Sequence, residues 1–271
     1  MRARKHGRLA RLGATAAAAA AAMTAIAAAG CAPAAAAAAV RPAAAAAPAA
    51  AAARSSAAAR SSAAAGYTPS ARTLREGMKG TDVKALQRRL AALKYYPGPI
   101  DGAFGNDTLE AVWAFQEVNG IAATGVINTA TARALAHPRT YTARYPHQNP
   151  TRVEVNLTVR VLVLYKDGKI ALISHVSSGG GYYYCSGGGC AWAVTPTGRF
   201  RTTVYMPGWV TVPLGQMYNP VFFISTVYAI HGDTFVPVYP ASHGCIRIPM
   251  DIAAFFHKLV KAPGTEVFVY R

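Results

Sequence analysis

The chain has 271 residues, enough for one to three domains with at least one sizeable core. Its formal charge of +17 at pH 7 is uneven: residues 1–72 carry nine Lys/Arg and no Asp/Glu, 73–150 carry nine against six, and 151–271 carry ten against five. The aromatic-containing part is therefore only mildly basic, and it has no Lys/Arg run, RNA-binding signature or zinc-finger spacing, which sets nucleic-acid binding aside.

Residues 1–66 are alanine-heavy and contain no aromatic or acidic side chain, so they cannot bury a core. Arg2, Arg4, Lys5, Arg8 and Arg11 precede a small-residue apolar stretch, Leu12 to Ala29, the pattern of a secretory signal over 1–31. Ala28-Ala-Gly-Cys31 resembles a bacterial lipobox, with alanine where leucine is usual. Cys31 is thus either lipidated or discarded with the signal, and that anchor is the only membrane attachment expected. Residues 32–72 read as an Ala/Pro-rich disordered linker, since Pro33, Pro42 and Pro48 interrupt helix and no apolar stripe offers a docking face.

Over 73–138 the texture becomes helical. Val83, Leu86, Leu90 and Leu93 fall at helical spacing behind Thr81, a candidate N-cap. After a Pro97–Gly105 loop, Asn106 or Asp107 is placed to cap a second helix, with Glu110 in the capping-box position and Val112 and Phe115 on its buried face. Asn128-Thr129 opens a short third helix that ends near Ala136, before Pro138. Gly80, Asp82-Val83, Leu86-Gln87, Leu90, Asp101-Gly102, Phe104-Gly105, Thr108, Ala111-Val112, Phe115-Gln116, Gly125 and Thr131 together resemble the three-helix peptidoglycan-binding domain of many cell-wall enzymes. Physically, most of these are turn formers and core positions, so they specify a fold more than ligand contacts.

From 151 to 271 the period switches to two. Val153, Val155, Leu157 and Val159 alternate, and Val161 to Tyr165 is a continuous apolar run suited to a strand buried on both faces. Asp167-Gly168 turns the chain into a returning strand, Ile170 to Val176. Phe200 to Tyr205, Val221 to Ile230 and Val267 to Tyr270 supply further strands, and Asp251 to Val260 is one amphipathic helix. The expected fold class is α+β multidomain: a three-helix bundle followed by a mostly β sandwich or open barrel with one packed helix.

Cys185 and Cys190 bracket Ser-Gly-Gly-Gly and are expected to form a disulfide, because no second ligand pair points to a metal. That leaves Cys245 unpaired in Ser242-His-Gly-Cys-Ile-Arg247, with a second histidine at Ile230-His231-Gly232. A nearby imidazole raises the thiolate fraction of a cysteine and returns the proton to a leaving group, and backbone N–H groups around Gly244 and Cys245 suit an oxyanion. On residue chemistry alone either histidine serves as base, and a buried inert cysteine has the same spacing. An activated thiol is expected to alkylate well below pH 8.5.

Thr195-Pro-Thr-Gly198 with Phe200, Ala229-Ile-His-Gly232 and Ser242-His-Gly-Cys-Ile-Arg247 resemble, in order, the signature of the L,D-transpeptidase (YkuD) catalytic domain. The resemblance implies Cys245 as nucleophile, His231 as general base and the Gly232 carbonyl as its orienter. His243 and Gly244 fall in pocket and oxyanion support. Ser242 and Arg247 line the substrate, with a structural ion pair the other role for Arg247. It further implies no cofactor or metal, peptidoglycan as partner, acylation by carbapenems and a place in the cell envelope, secreted or lipid-anchored. The implied reaction is 3→3 cross-linking with release of D-alanine from a tetrapeptide stem; L,D-carboxypeptidase action and a catalytically silent wall-binding protein are the rival readings. Two departures stand out: only 14 positions separate His231 from Cys245, and the Gly179–Cys190 stretch elaborates a usually simpler turn.

Overall fold

The computed structural model describes residues 68–271. The signal segment, Cys31 and the linker up to residue 67 lie outside the described residues. Among the described residues no helix is long and apolar enough to cross a membrane.

Three helices form the first module: α1 (Thr81–Ala92), α2 (Asn106–Asn119) and α3 (Thr129–Ala136). Their apolar stripes meet in a core that includes Leu86, Leu90, Phe104, Val112, Phe115 and Leu135, all buried. Two buried glutamines brace the connecting loops. Gln87 Oε1 accepts the Gly102 N–H at 2.8 Å while its amide donates to Asp101 and to the Ala103 carbonyl; Gln116 repeats the device with Gly125 and Val126. The caps depart from expectation. Gly80 and Gly105 are the N-caps of α1 and α2, with no side-chain cap bond, so Thr81, Asn106 and Asp107 are not caps and Glu110 belongs to no capping box. Asn128 caps α3 as expected, its Oδ1 accepting the Thr131 N–H at 3.0 Å.

The second part is a β-sandwich. Its five-stranded sheet has β1 (Arg152–Asn156), β2 (Val161–Lys166), β3 (Lys169–His175), β6 (Gly198–Arg201) and β11 (Glu266–Tyr270) in the order β3-β2-β1-β11-β6. The four-stranded sheet has β7 (Trp209–Val212), β8 (Gly215–Ile224), β9 (Tyr228–Gly232) and β10 (Ile246–Ile248) in the order β10-β9-β8-β7. Asp167-Gly168, both at positive φ, form the two-residue turn between β2 and β3. Helix α4 (Met250–Leu259) adds Ile252, Ala253 and Phe256 to the core shared by both sheets. A separate hairpin of β4 (Tyr183–Ser186) and β5 (Gly189–Trp192) places Cys185 opposite Cys190, and the two are disulfide-bonded.

Three expected strands are redrawn. The Phe200–Tyr205 segment leaves the sheet after Arg201, and Tyr205 makes an isolated bridge to Val221 instead. The Val221–Ile230 run is two antiparallel strands, because the chain reverses at Ser225, which sits at positive φ. Alternation stops at Asn156, whose side chain accepts the Thr158 and Val159 N–H groups and turns the chain.

β2 is buried on both faces for a specific reason. Leu162 and Leu164 face the sandwich core, whereas Val161, Val163 and Tyr165 join the helical core with Tyr95 and Phe115. The three-helix module therefore covers the outer face of the sheet. The Ile173 N–H donates to the Lys94 carbonyl at 2.8 Å, extending the β3 edge into the module. Glu117 of α2, buried, lies 3.2 Å from Arg160 Nε and 2.8 Å from His175 Nδ1, while His175 Nε2 faces the Pro237 carbonyl at 3.1 Å. One proton must occupy the Glu117–His175 contact, because the carbonyl can only accept and takes the Nε2 proton. Since the two parts share one apolar layer, residues 68–271 are expected to melt in a single calorimetric transition, and Ile173→Ala to lower that stability by about 2–5 kcal/mol. Two resolved transitions, or a variant that destabilises only one, would contradict a shared core.

Candidate active site

The two candidate histidines and Cys245 gather at one edge of the four-stranded sheet. β9 and β10 pair in parallel, with Ile246 opposite Ile230 and Arg247 opposite His231. This register sets Cys245, one residue before β10, beside the strand that carries His231. Parallel neighbours need a crossover, and the 233–245 loop supplies it with few residues to spare. The loop is tied down by its backbone. The Ala241 and Ser242 N–H groups both donate to the Ser178 carbonyl at 2.9 Å, and Ser177 Oγ donates to the Tyr239 carbonyl at 2.8 Å.

His231 is almost fully buried, and its Nδ1 donates to the Gly232 carbonyl at 2.9 Å. A carbonyl only accepts, so this bond puts the proton on Nδ1 and leaves Nε2 with a free lone pair. Burial pushes the imidazole below the ordinary histidine value, opposed in part by the Gly232 carbonyl and Asp233. Gly232 has a steric role besides: a Cβ there would lie 2.7 Å from Ala253 Cβ, so glycine lets α4 pack directly behind the histidine strand.

Cys245 is half-buried and is the free cysteine among the described residues. Its Sγ accepts the Ala229 N–H at 3.5 Å. Burial raises the thiol above the ordinary cysteine value, with the Ala229 N–H and Arg247 pulling the other way. The resting pair is therefore a neutral thiol and a neutral imidazole. Burial thus works against the alkylation below pH 8.5 expected of an activated thiol, with the Ala229 N–H and Arg247 working for it.

The loop before the cysteine is an interlocked turn. Gly244 sits at φ +139°, and a Cβ on it would meet Tyr228 Cε1 at 2.7 Å and the Val194 carbonyl at 2.9 Å. Ser242 Oγ accepts the Gly244 N–H at 3.0 Å and donates to the Cys245 carbonyl at 2.6 Å. Ser242 thus braces the loop while also lining the cleft, and the Gly244 N–H is bonded to it in the resting structure. The buried Thr195 Oγ1 accepts the Gly179 N–H and donates to the Gly244 carbonyl, both at 2.8 Å, locking the Thr-Pro-Thr-Gly turn to the cysteine loop. No local motif signals this, since the contact links residues far apart in the chain.

The site opens into a cleft of about 590 Å³ lined by Cys245, His231, His243, Tyr184 and Tyr228. The disulfide-stapled β4–β5 hairpin forms one wall, and the β7–β8 turn at Pro213 and Leu214 forms another. His243 packs edge-on against Tyr182 and Tyr184, with centroids 5.5 and 4.7 Å away, and burial then Arg247 lower its pKa. It is a wall residue. Arg247 also lines the cleft, and its Nε lies 3.0 Å from Asp233 Oδ2, so the ion pair and a place at the cleft are both present.

Fold and site together define a two-part protein whose β-sandwich presents a cysteine and a tautomer-fixed histidine in one cleft. Residues 150–269 match the L,D-transpeptidase catalytic domain and residues 79–135 match the peptidoglycan binding domain. A crystal structure of the L,D-transpeptidase from Xylanimonas cellulosilytica is 34% identical, with a TM-score of 0.70 over 75% of this chain and 100% of that one. The chain belongs to the L,D-transpeptidase family. Curated relatives match over shorter stretches: an N-acetylmuramoyl-L-alanine amidase of Bacillus licheniformis is 43% identical over 65 residues, 23% of this chain and 18% of its own length. The carboxy-terminal processing protease CtpB of Bacillus subtilis is 45% identical over 62 residues, again 23% of this chain and 13% of its own. The chain thus spans less than a fifth of either relative.

The sign of the Cys245 shift gives a direct expectation. A thiol raised by burial holds fewer thiolates at neutral pH than a free cysteine, so iodoacetamide labelling of Cys245 should climb only above about pH 8.5. A labelling rate already on a plateau at pH 7 would contradict the neutral pair.

Proposed function

We propose that the protein is an exported peptidoglycan L,D-transpeptidase that forms 3→3 cross-links through a Cys245 thioester. The observation that carries this reading is the His231 Nδ1 bond to the Gly232 carbonyl, which leaves Nε2 as a base in the cleft that Cys245 lines. As Sγ attacks the carbonyl of the third stem residue, its proton passes to His231 Nε2, so charge develops only along the reaction path. The C–N bond to D-alanine breaks, and the imidazolium returns the proton to the departing amine. The side-chain amine of a neighbouring stem's third residue then attacks the thioester, gives up a proton to His231 and regenerates the thiol. Because the Gly244 N–H is engaged by Ser242, the Cys245 N–H is the oxyanion donor in this reading.

The helical module keeps the enzyme at the polymer and raises the local concentration of stems. Carbapenems acylate the same thiol. The enzyme works outside the cytoplasmic membrane, in the cell envelope, either released or held by a lipid on Cys31. The test is mass spectrometry of products after residues 68–271, wild type and Cys245→Ala, meet disaccharide-tetrapeptide. Dimers lacking one D-alanine with wild type alone are expected. Tripeptide monomers alone would make the protein an L,D-carboxypeptidase, and no cysteine-dependent product would leave it a wall-binding protein.

A further inference from the structure

Away from the cleft, three carboxylates meet where the helical module touches the catalytic domain. Asp107 and Glu110 come from the first turns of α2 and Asp251 from the first turn of α4; one oxygen from each lies within 4.8 Å of the other two. Glu110 is 6% exposed, and its Oε2 is buried with no hydrogen-bond partner. Both carboxylate oxygens of Asp251 are also buried without a partner. The charges that act on Glu110 and Asp251 are all negative: Asp251 and Asp107 on the first, Asp107 on the second. Asn106 hydrogen-bonds Glu110, and backbone N–H groups at Asp251 and Ile252 favour the Asp251 carboxylate, yet each carboxylate is repelled by its neighbours and keeps buried oxygen with no partner, the arrangement that a protein relieves with a cation or a proton.

We propose that Asp107, Glu110 and Asp251 bind a calcium ion that clamps the helical module to the catalytic domain. The donors are all hard carboxylate oxygens with no sulfur or imidazole, which selects calcium or magnesium over zinc or copper. Calcium takes oxygen ligands at about 2.3–2.6 Å in an irregular shell, so oxygens up to about 5 Å apart share one ion, with water filling the remaining positions. Magnesium demands shorter bonds and a stricter octahedron, which two separate helices and a buried glutamate fit less well. Burial raises Glu110 to about 8 and Asp251 to about 7, which marks protons as the cation's competitors.

The clamp bears on the active site through α4. The helix that begins at Met250 and Asp251 places Ala253 and Met250 against Gly232, the residue whose carbonyl orients His231, and the Ala253 carbonyl accepts from Asn219 Nδ2 at 3.3 Å. No reading of the sequence finds such a site, because the donors lie in different domains.

Calorimetry of residues 68–271 stripped with EDTA, with and without millimolar calcium chloride, tests the proposal independently of any catalytic activity. Calcium is expected to raise the melting temperature by about 5 °C and to give a one-to-one isotherm. Asp251→Asn, which removes a buried charge, should fold, melt at or above the stripped wild type and lose the calcium response; Asp107→Asn should weaken it at least tenfold. No calcium effect on the wild type, with stability governed by pH alone, would show that a shared proton holds the cluster and would overturn the proposal. So would a calcium response that survives in Asp251→Asn.

Discussion

The parallel pairing of β9 and β10 is the constraint on which the site depends. It puts Arg247 opposite His231, and so fixes where the cysteine loop enters the sheet. The remaining features serve that register. Gly232 lets α4 close behind the histidine, Gly244 lets the loop pass Tyr228, and Thr195 and Ser242 bond the loop to the neighbouring turn and to itself. A side chain at either glycine has no room, so the backbone path and the chemistry are specified together.

The electrostatics of the cleft follow from burial rather than from charge pairing. Cys245 and His231 are both shifted toward their neutral forms, the thiol upward and the imidazole downward, and the principal cause in each case is desolvation. Arg247, paired with Asp233, opposes the upward shift of the thiol but adds to the downward shift of the imidazole. A neutral thiol is a poorer nucleophile than a thiolate toward oxidants and alkylating agents. It becomes reactive when an electrophile sits where proton and electron pair move together.

Much of this was legible in the sequence where the signal is local. The three helices, the Asp167-Gly168 hairpin, the disulfide and the doubly buried run of β2 follow from periodicity and turn chemistry, and the run at Val161–Tyr165 even implied a covering layer. What covers it was not legible, because the helical module and the sheet are joined only by tertiary packing. Local rules also failed where tertiary contacts take over a residue. Glu110 sits in a capping-box position yet turns toward Asp251. The Thr195 bridge and the Glu117–His175–Pro237 chain pair residues far apart in sequence, and no single-chain pattern encodes them.

The account rests on a resting thiol that ionises only as its proton passes to His231. Difference infrared spectroscopy of the free protein, with Cys245→Ser as the reference, observes that proton through the S–H stretch. A Cys245 S–H band present at neutral pH is the predicted result. Its absence at neutral pH would mean a preformed thiolate, and would contradict the mechanism at its first step.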